Sequence, residues 1–326
     1  MYRFATVGSN FIVDWFLEEA LKRDDLVYQA AYSRSEKKAQ DLQKKYGCKK
    51  TYTNLELMAQ DEEIDFVYLA SPNFLHRDQT ILMLNHKKHV LCEKPLASNY
   101  REAVEMYKLA DEKNLILMEA MRNRHTKGYR ALEKNLYKLG QIRRASFNYC
   151  QYSSRYDKFK EGIVENAFNP KLSNGALMDI GVYLVHPMVA LFGRPLNLVG
   201  HGINLSNGVD GAGDIIFIYD SMVGNISYSK INDSKLASEI QGEDASLIID
   251  RLDDIGLMEI VYRDGSREKI DFTKEESKIA GELDDFIKIL QGKEKVDLYK
   301  RESLDKMCVL DGIRNQLNIV FPADKF

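Results

Sequence analysis

The first third of the chain repeats one unit, a short apolar run that stops at a turn, followed by residues at helical spacing. Phe4-Ala5-Thr6-Val7 stops at Gly8, and the next segment sets Val13, Leu17 and Leu21, with Phe16 and Ala20, on one helical face. Leu26 to Tyr32 reads as strand, Glu36 to Tyr46 as a polar-faced helix, and Ile64 to Ala70 as a buried strand ending at Ser71-Pro72-Asn73. Leu75 to Leu84 returns as helix, His89 to Cys92 as strand, Arg101 to Asp111 as helix and Leu115 to Met118 as strand. Parallel strands need crossovers, and the crossover helices must cover both faces of the sheet. The pattern predicts an α/β fold whose N-terminal part is a Rossmann-like, doubly wound parallel sheet.

After about Met121 the rhythm changes. A helical stretch to Leu139 precedes strands at Arg143 to Tyr152, Leu198 to Leu205, Asp214 to Tyr219, Val223 to Ser229, Ser246 to Ile249 and Leu257 to Tyr262. Asp210-Gly211 and Asp264-Gly265 suit tight hairpin turns. This half predicts an α/β domain built on a largely antiparallel, open sheet. With 326 residues the chain is long enough for two cores. The expected division is 1–121 for the first domain and 122–302 for the second.

Composition narrows the class of partner. A net charge of -3, with acidic and basic residues interspersed, gives no broad basic field for nucleic acid or an anionic membrane. No apolar run approaches the ~18 residues of a membrane span. The N-terminus enters a strand pattern directly, without the apolar region of a signal peptide. Cys48, Cys92, Cys150 and Cys308 are far apart and form no metal-ligand cluster with histidine. These features predict a cytoplasmic protein with free thiols and no metal, acting on a small molecule.

The turn Gly8-Ser9-Asn10-Phe11-Ile12 keeps only the first glycine of a G-x-G-x-x-G loop. Gly8 permits the sharp turn, and the helix behind it offers backbone N–H groups to a pyrophosphate. Asn10 stands where the second glycine would be, and asparagine tolerates left-handed backbone angles. An ordinary β-turn-α is the competing reading. At the tip of the second strand an NAD-selective fold places an acid, to hold the ribose hydroxyls. Here Ser33 and Arg34 stand instead, with Lys37 and Lys38 close behind. A hydroxyl and a guanidinium suit a 2′-phosphate, so NADP is the expected cofactor and NAD remains possible. Solvated cations at a helix start are the alternative. Ser71, Asn73 and His76 should border the same cofactor, or simply cap the next helix.

The fourth such strand ends in Glu93-Lys94-Pro95. A lysine at the carboxyl end of a parallel strand is placed to face a substrate beside a nicotinamide. Burial and a neighbouring nicotinamide cation would both disfavour its ammonium form. Such a lysine can polarise a carbonyl or hold a developing alkoxide. The alternative is an exposed lysine at a helix start.

Taken in order, Gly8, Ser71-Pro72-Asn73-x-x-His76, Glu93-Lys94-Pro95, Glu119-Ala120-Met121-x-x-Arg124 and Asn174 to Tyr183 resemble the glucose–fructose oxidoreductase / inositol dehydrogenase (Gfo/Idh/MocA) family, on its dihydrodiol dehydrogenase-like side. The resemblance spans essentially the whole chain. It implies a Rossmann domain, an open-sheet second domain that supports a homodimer or higher homo-oligomer, and a terminal helix at about 303–317 packing back on the first domain. It also implies NAD(P)-dependent hydride transfer at a hydroxyl or carbonyl carbon of a sugar, polyol or cyclic diol.

Asp179, Tyr183 and His186 fall at i, i+4 and i+7, on one face of a single helix. The resemblance implies that Tyr183 or His186 relays the proton. Tyr183 occupies the tyrosine position, with Asp179 and His186 orienting substrate beside Lys94. A polar face that simply meets water is the bland reading. Arg122-Asn123-Arg124-His125 replaces a segment that often carries an aromatic, and admits either an anionic substrate or plain surface. Two further readings compete with the enzyme. One is a non-catalytic NADP-binding redox sensor, supported by the imperfect glycine loop. The other is an interaction module, which leaves the clustered polar residues unexplained.

Overall fold

The computed structural model describes residues 1–325 and resolves into two compact units. Unit one comprises Met1–Ala120 with Ser277–Arg301, and unit two comprises Met121–Glu276 with the chain from Glu302 onward.

Unit one contains β1 (Tyr2–Val7), α1 (Phe11–Ala20), β2 (Leu26–Tyr32), α2 (Glu36–Tyr46), β3 (Lys50–Tyr52), α3 (Leu55–Gln60), β4 (Phe66–Leu69), α4 (His76–Asn85), β5 (His89–Glu93), α5 (Tyr100–Glu112) and β6 (Leu117–Ala120). The six strands are all parallel, in the order β3-β2-β1-β4-β5-β6. Strand order therefore reverses between β1 and β4, the switch point where open α/β sheets bind ligands. The apolar periodicity is spent on one core: Val13, Phe16 and Leu17 of α1 pack with Phe4, Tyr28, Phe66 and Tyr68 of the sheet. Phe16 stacks on Tyr68 at 4.0 Å between ring centroids. The short edge strand β3 and helix α3 are both absent from the sequence reading: β3 is three polar, half-buried residues, and α3, with Met58 and Ala59 buried, is too short to show a helical period.

Unit two opens with α6 (Lys127–Asn135) and β7 (Ile142–Cys150), followed by α7 (Ser154–Lys160) and α8 (Val182–Phe192). Its remaining strands are β8 (Asn197–Asn204), β9 (Asp210–Ile218), β10 (Val223–Ser229), β11 (Ser238–Gly242), β12 (Ala245–Ile249), β13 (Met258–Tyr262) and β14 (Arg267–Lys269). They form one sheet in the order β14-β13-β12-β11-β7-β10-β9-β8. Only the β7–β10 pair is parallel, and the rest are antiparallel. Phe147, Ile215, Phe217, Ile226, Leu247 and Ile260 fill the buried face. Val199, Ile203, Ile216 and Val223 stay exposed on the other. Asp264-Gly265 makes the β13–β14 turn, as its sequence predicts. Asp210-Gly211 does not turn; it starts β9, and Gly208, at a φ of 84°, turns the β8–β9 hairpin instead.

Near its end the chain supplies α9 (Ala280–Leu290) to unit one, where Leu283, Phe286 and Ile287 join the core around Phe4 and Phe66. The last helix, α10 (Asp297–Leu317), begins in unit one, but from Glu302 on it groups with unit two.

Candidate functional site

In unit one the polar residues named from the sequence stand at the carboxyl ends of parallel strands. Ser33 and Arg34 follow β2, Gly8 to Ile12 follow β1, Ser71 to His76 follow β4, and Glu93-Lys94 closes β5. The sheet order sets these ends side by side, so they share one edge.

Gly8 has a φ of 122°, and a Cβ there would lie 2.7 Å from the Ala70 carbonyl oxygen. The turn needs glycine because β1 and β4 approach so closely. Asn10 is not left-handed, as its sequence position suggests, but extended, at a φ of -101°. It caps α1: Oδ1 accepts from Val13 N at 3.3 Å while Nδ2 donates to Ala70 O at 3.2 Å. One side chain thus replaces a glycine's freedom with a fixed tie between two loops. Ser9 and Ile12 are half-buried, and Asn10 and Phe11 are exposed. A side-chain-free turn leading into an accessible helix N-terminus fits a dinucleotide pyrophosphate. At the β2 end Ser33 is buried and its Oγ accepts from Ser35 N at 3.3 Å, while Arg34 and Lys38 are exposed. Ser33 shapes the turn, and Arg34 supplies the reachable charge.

The β5 loop is braced from three sides. Glu93 accepts from Tyr68 Oη at 2.5 Å and from Lys94 N at 3.2 Å. Leu96 N donates to Glu119 Oε1 at 2.9 Å. His76 Nδ1 and Nε2 lie 3.0 Å from Pro95 O and 2.9 Å from Ser71 O. Burial lowers the pKa of its imidazole, and the hydrogen bonds to the Ser71 and Pro95 carbonyls oppose that shift. With both nitrogens against main-chain carbonyls, His76 is a strut between the β4 and β5 loops. Ser71 donates to Gln79 Oε1 at 2.6 Å, Asn73 is buried, and Lys94 stands half-buried just before Pro95, to which it is joined by a cis bond.

In unit two the motif Asn174 to Tyr183 does not form one regular helix. Leu177–Gly181 is a π-helical turn, and α8 follows it. The wider turn changes the spacing across the motif, and its three polar side chains take different partners. Asp179 pairs with Lys230, whose Nζ also lies 5.4 Å from the Phe168 ring. Tyr183 Oη accepts from Arg122 Nε at 3.0 Å. His186 is buried, 3.7 Å from Glu302, and burial followed by the Lys306, Arg124 and His125 charges holds its pKa well below the usual value. His186 therefore belongs to the interior of unit two.

Beneath the motif Gly175 lies so close to Asp210 that a Cβ would sit 1.9 Å from its Oδ1. Asp210 Oδ2 accepts from Leu177 N at 2.6 Å. The basic segment is not surface either: Arg124 binds Glu302 at 2.8 and 3.1 Å and Glu133 at 3.2 Å. Its guanidinium is committed to those carboxylates, which removes it as an anion receptor. Lys230 and Asp253 carry no sequence signal of their own, and the signal at Asp210 is that of a turn. Asp179 and Lys230 are 51 residues apart, and only the fold pairs them.

Comparison with known proteins agrees with this architecture. Residues 2–121 match the model "Oxidoreductase family, NAD-binding Rossmann fold", and residues 137–248 match the GFO/IDH/MocA C-terminal domain. The chain is 42% identical, over 100% of both chains, to the scyllo-inositol 2-dehydrogenase (NADP(+)) IolU of Bacillus subtilis (strain 168). It is 31% identical to the trans-1,2-dihydrobenzene-1,2-diol dehydrogenase of Xenopus tropicalis, over 58% of this chain and 56% of that one. Among solved structures, the 3-ketoreductase KijD10 from Actinomadura kijaniata, in complex with NADP and TDP-benzene, superposes with a TM-score of 0.85 at 19% identity, covering 98% of this chain and 99% of that one. At that identity the likeness is one of fold.

Proposed function

As the chain belongs to the Gfo/Idh/MocA oxidoreductase family, we propose that it is an NADP-dependent dehydrogenase of a cyclic polyol of the inositol type, reversibly converting one ring hydroxyl to a ketone. The observation that carries this reading is the order of groups along one sheet edge: Arg34 after β2, the Gly8 turn and α1 N-terminus after β1, and Lys94 after β5. That order matches a 2′-phosphate, a pyrophosphate and a nicotinamide. The polyol class follows from the full-length similarity to the scyllo-inositol 2-dehydrogenase.

NADP, when bound, supplies the nicotinamide that accepts or returns the hydride. Ser9 to Ile12 present their main-chain N–H groups to the pyrophosphate, and Arg34 contacts the 2′-phosphate. Lys94 holds the reacting oxygen and stabilises its developing negative charge. Tyr183 takes up the hydroxyl proton in oxidation and gives it back in reduction. Asp179, fixed by Lys230, accepts hydrogen bonds from neighbouring ring hydroxyls. His186 supports the helix that carries Tyr183 and does not touch substrate.

The exposed apolar residues of the open sheet support self-association through that face. Among the described residues no helix is long and apolar enough to cross a membrane. All four cysteines are free, which supports a reducing, cytoplasmic setting.

The test is absorbance at the NADPH band with NADP+ and scyllo-inositol, myo-inositol and D-glucose, and with NAD+ in parallel. Turnover of an inositol with NADP+ is expected, with kcat lowered on the order of a hundredfold in Lys94→Ala and in Tyr183→Phe. No turnover of any polyol, or unchanged kcat in both variants, sinks the reading.

A further inference from the structure

Arg122 follows the end of β6 in a 3-10 turn, Arg122–His125. The turn is anchored by Asn123, whose Nδ2 donates to Leu252 O at 3.1 Å and to Tyr183 O at 3.4 Å. This places the Arg122 guanidinium against the side chain of Tyr183. Nε donates to Tyr183 Oη at 3.0 Å, and the guanidinium carbon lies 4.7 Å from the ring centroid. The other two nitrogens are held by Asp253: one donates to its carbonyl at 2.8 Å, and the second lies 3.4 Å from its Oδ2. Asp253 is in turn gripped by Arg251 at 3.0 and 2.8 Å. The side chains of Arg122 and Asp253 are only 12% and 3% exposed, so this chain is shielded from screening by solvent.

Two features separate this arrangement from a structural ion pair. First, all the hydrogens of a guanidinium donate and it accepts nothing. The phenol proton of Tyr183 therefore cannot point at Arg122. The Arg122 bond fills one acceptor site on Oη and turns the O–H bond elsewhere. Second, two guanidiniums face one carboxylate, and the surplus positive charge stands beside Oη. Burial opposes the charge on Arg122, but the Tyr183 and Asp253 oxygens outweigh it and keep the guanidinium protonated.

We infer that Arg122, locked by Asp253, is a positioning residue for Tyr183: it aims the phenol proton at the reacting oxygen and holds the phenolate once that proton has gone. The inference rests on the reading of Tyr183 as proton relay. In the reductive direction the Tyr183 O–H bond breaks as an O–H bond forms on the substrate oxygen. The electron pair left on Oη is then held by the Arg122 N–H, in a charge-assisted bond stronger than the one to the neutral phenol. Water returns the proton. Because the bond strengthens as charge develops, its loss falls on kcat and not on binding.

The experiment measures kcat and KM in the reductive direction, with NADPH and the ketone formed by oxidation of scyllo-inositol, for the wild type, Arg122→Gln, Arg122→Lys, Tyr183→Phe and the Arg122→Gln/Tyr183→Phe double variant. Arg122→Gln is expected to lower kcat roughly tenfold to a hundredfold with KM changed less than about twofold. Arg122→Lys should recover part of that loss, since it keeps the charge without the planar fork. In the Tyr183→Phe background the Arg122→Gln change should cost less than about twofold, because the residue through which it acts is gone. Asp253→Asn, which loosens the same guanidinium, should move kcat in the same direction and serves if Arg122→Gln does not fold. An Arg122→Gln loss that persists undiminished in the Tyr183→Phe background overturns the inference, as does a change confined to KM. Unchanged kcat in Tyr183→Phe alone, or no wild-type turnover, overturns the parent reading and this one with it.

Discussion

Asp210 Oδ2 accepts a 2.6 Å hydrogen bond from Leu177 N, so a fully buried carboxyl anchors the first residue of the π turn that leads to Asp179 and Tyr183. Burial pushes the Asp210 pKa from 3.8 up to about 6. A raised carboxyl pKa means that the folded state prefers the protonated form. The contribution of this group to stability is therefore full below the unfolded value and is lost as pH rises through the folded one. Asp210→Asn keeps an oxygen for Leu177 N and removes the titration. Between about pH 4 and pH 7 the wild type should lose on the order of 2–3 kcal/mol that the variant keeps. Parallel denaturation curves for the two proteins across that range would mean that Asp210 does not titrate there.

Gly8→Ala tests the approach of β1 to β4. The new Cβ would meet the Ala70 carbonyl oxygen at 2.7 Å, on a backbone held at a φ of 122°. Strain on the order of 1–3 kcal/mol is expected from the backbone alone. The loop can relieve it only by moving away from Ala70, which also breaks the Asn10 to Ala70 bond. We expect a lower melting temperature together with weaker NADPH binding, measured by calorimetry and by nucleotide fluorescence. A variant that loses neither would show that the turn is looser than its geometry implies.

The same two loops show what a sequence can and cannot carry. The β-α rhythm is legible because burying a parallel sheet on both faces forces apolar runs such as Phe66–Leu69, and each run ends where a turn residue stands. Lys94 and Gly8 are legible for the same reason: their positions follow from where strands stop. The role of His76 is not, since its partners Ser71 and Pro95 are main-chain atoms that any residue would provide. The one-face placing of Asp179, Tyr183 and His186 assumes 3.6 residues per turn and does not anticipate the π turn at Leu177–Gly181. Apolar spacing alone does not disclose such a turn. It depends on Gly175 and Asp210, which meet only in the folded chain.

Arg124 and Glu302 make a prediction about stability and not about catalysis. Their side chains are 7% and 6% exposed, and the two-nitrogen contact at 2.8 and 3.1 Å satisfies both carboxylate oxygens. Removing Glu302 takes away the two-nitrogen, buried partner of Arg124 and leaves it with Glu133, which is 35% exposed. Glu302→Ala should cost about 3–5 kcal/mol in urea denaturation, while Lys158→Ala, which breaks an exposed pair with Glu165, should cost less than about 1 kcal/mol. Equal effects from the two would mean that Arg124 finds water or a new partner.

Cofactor choice gives the sharpest test of the β2 end. No acid stands at the tip of β2: Ser33 is buried with its hydroxyl held by Ser35 N, and Arg34 is exposed. A carboxylate there would accept bonds from the ribose hydroxyls of NAD, and Arg34, the exposed residue that follows β2, accepts none. Arg34, in contrast, can donate to a phosphate but gains nothing from a bare hydroxyl that a water could not supply. The wild type should therefore bind NADPH more tightly than NADH. Arg34→Ala should weaken NADPH binding roughly tenfold to a hundredfold, the loss of one charge-assisted hydrogen bond, and leave NADH within about twofold. Fluorescence titration of both nucleotides, at two salt concentrations, measures the difference. A wild type that binds NADH as tightly as NADPH would contradict the assignment of Arg34. So would an Arg34→Ala variant that weakens both nucleotides equally, since that would trace the effect to the shape of the β2 turn and not to the 2′-phosphate.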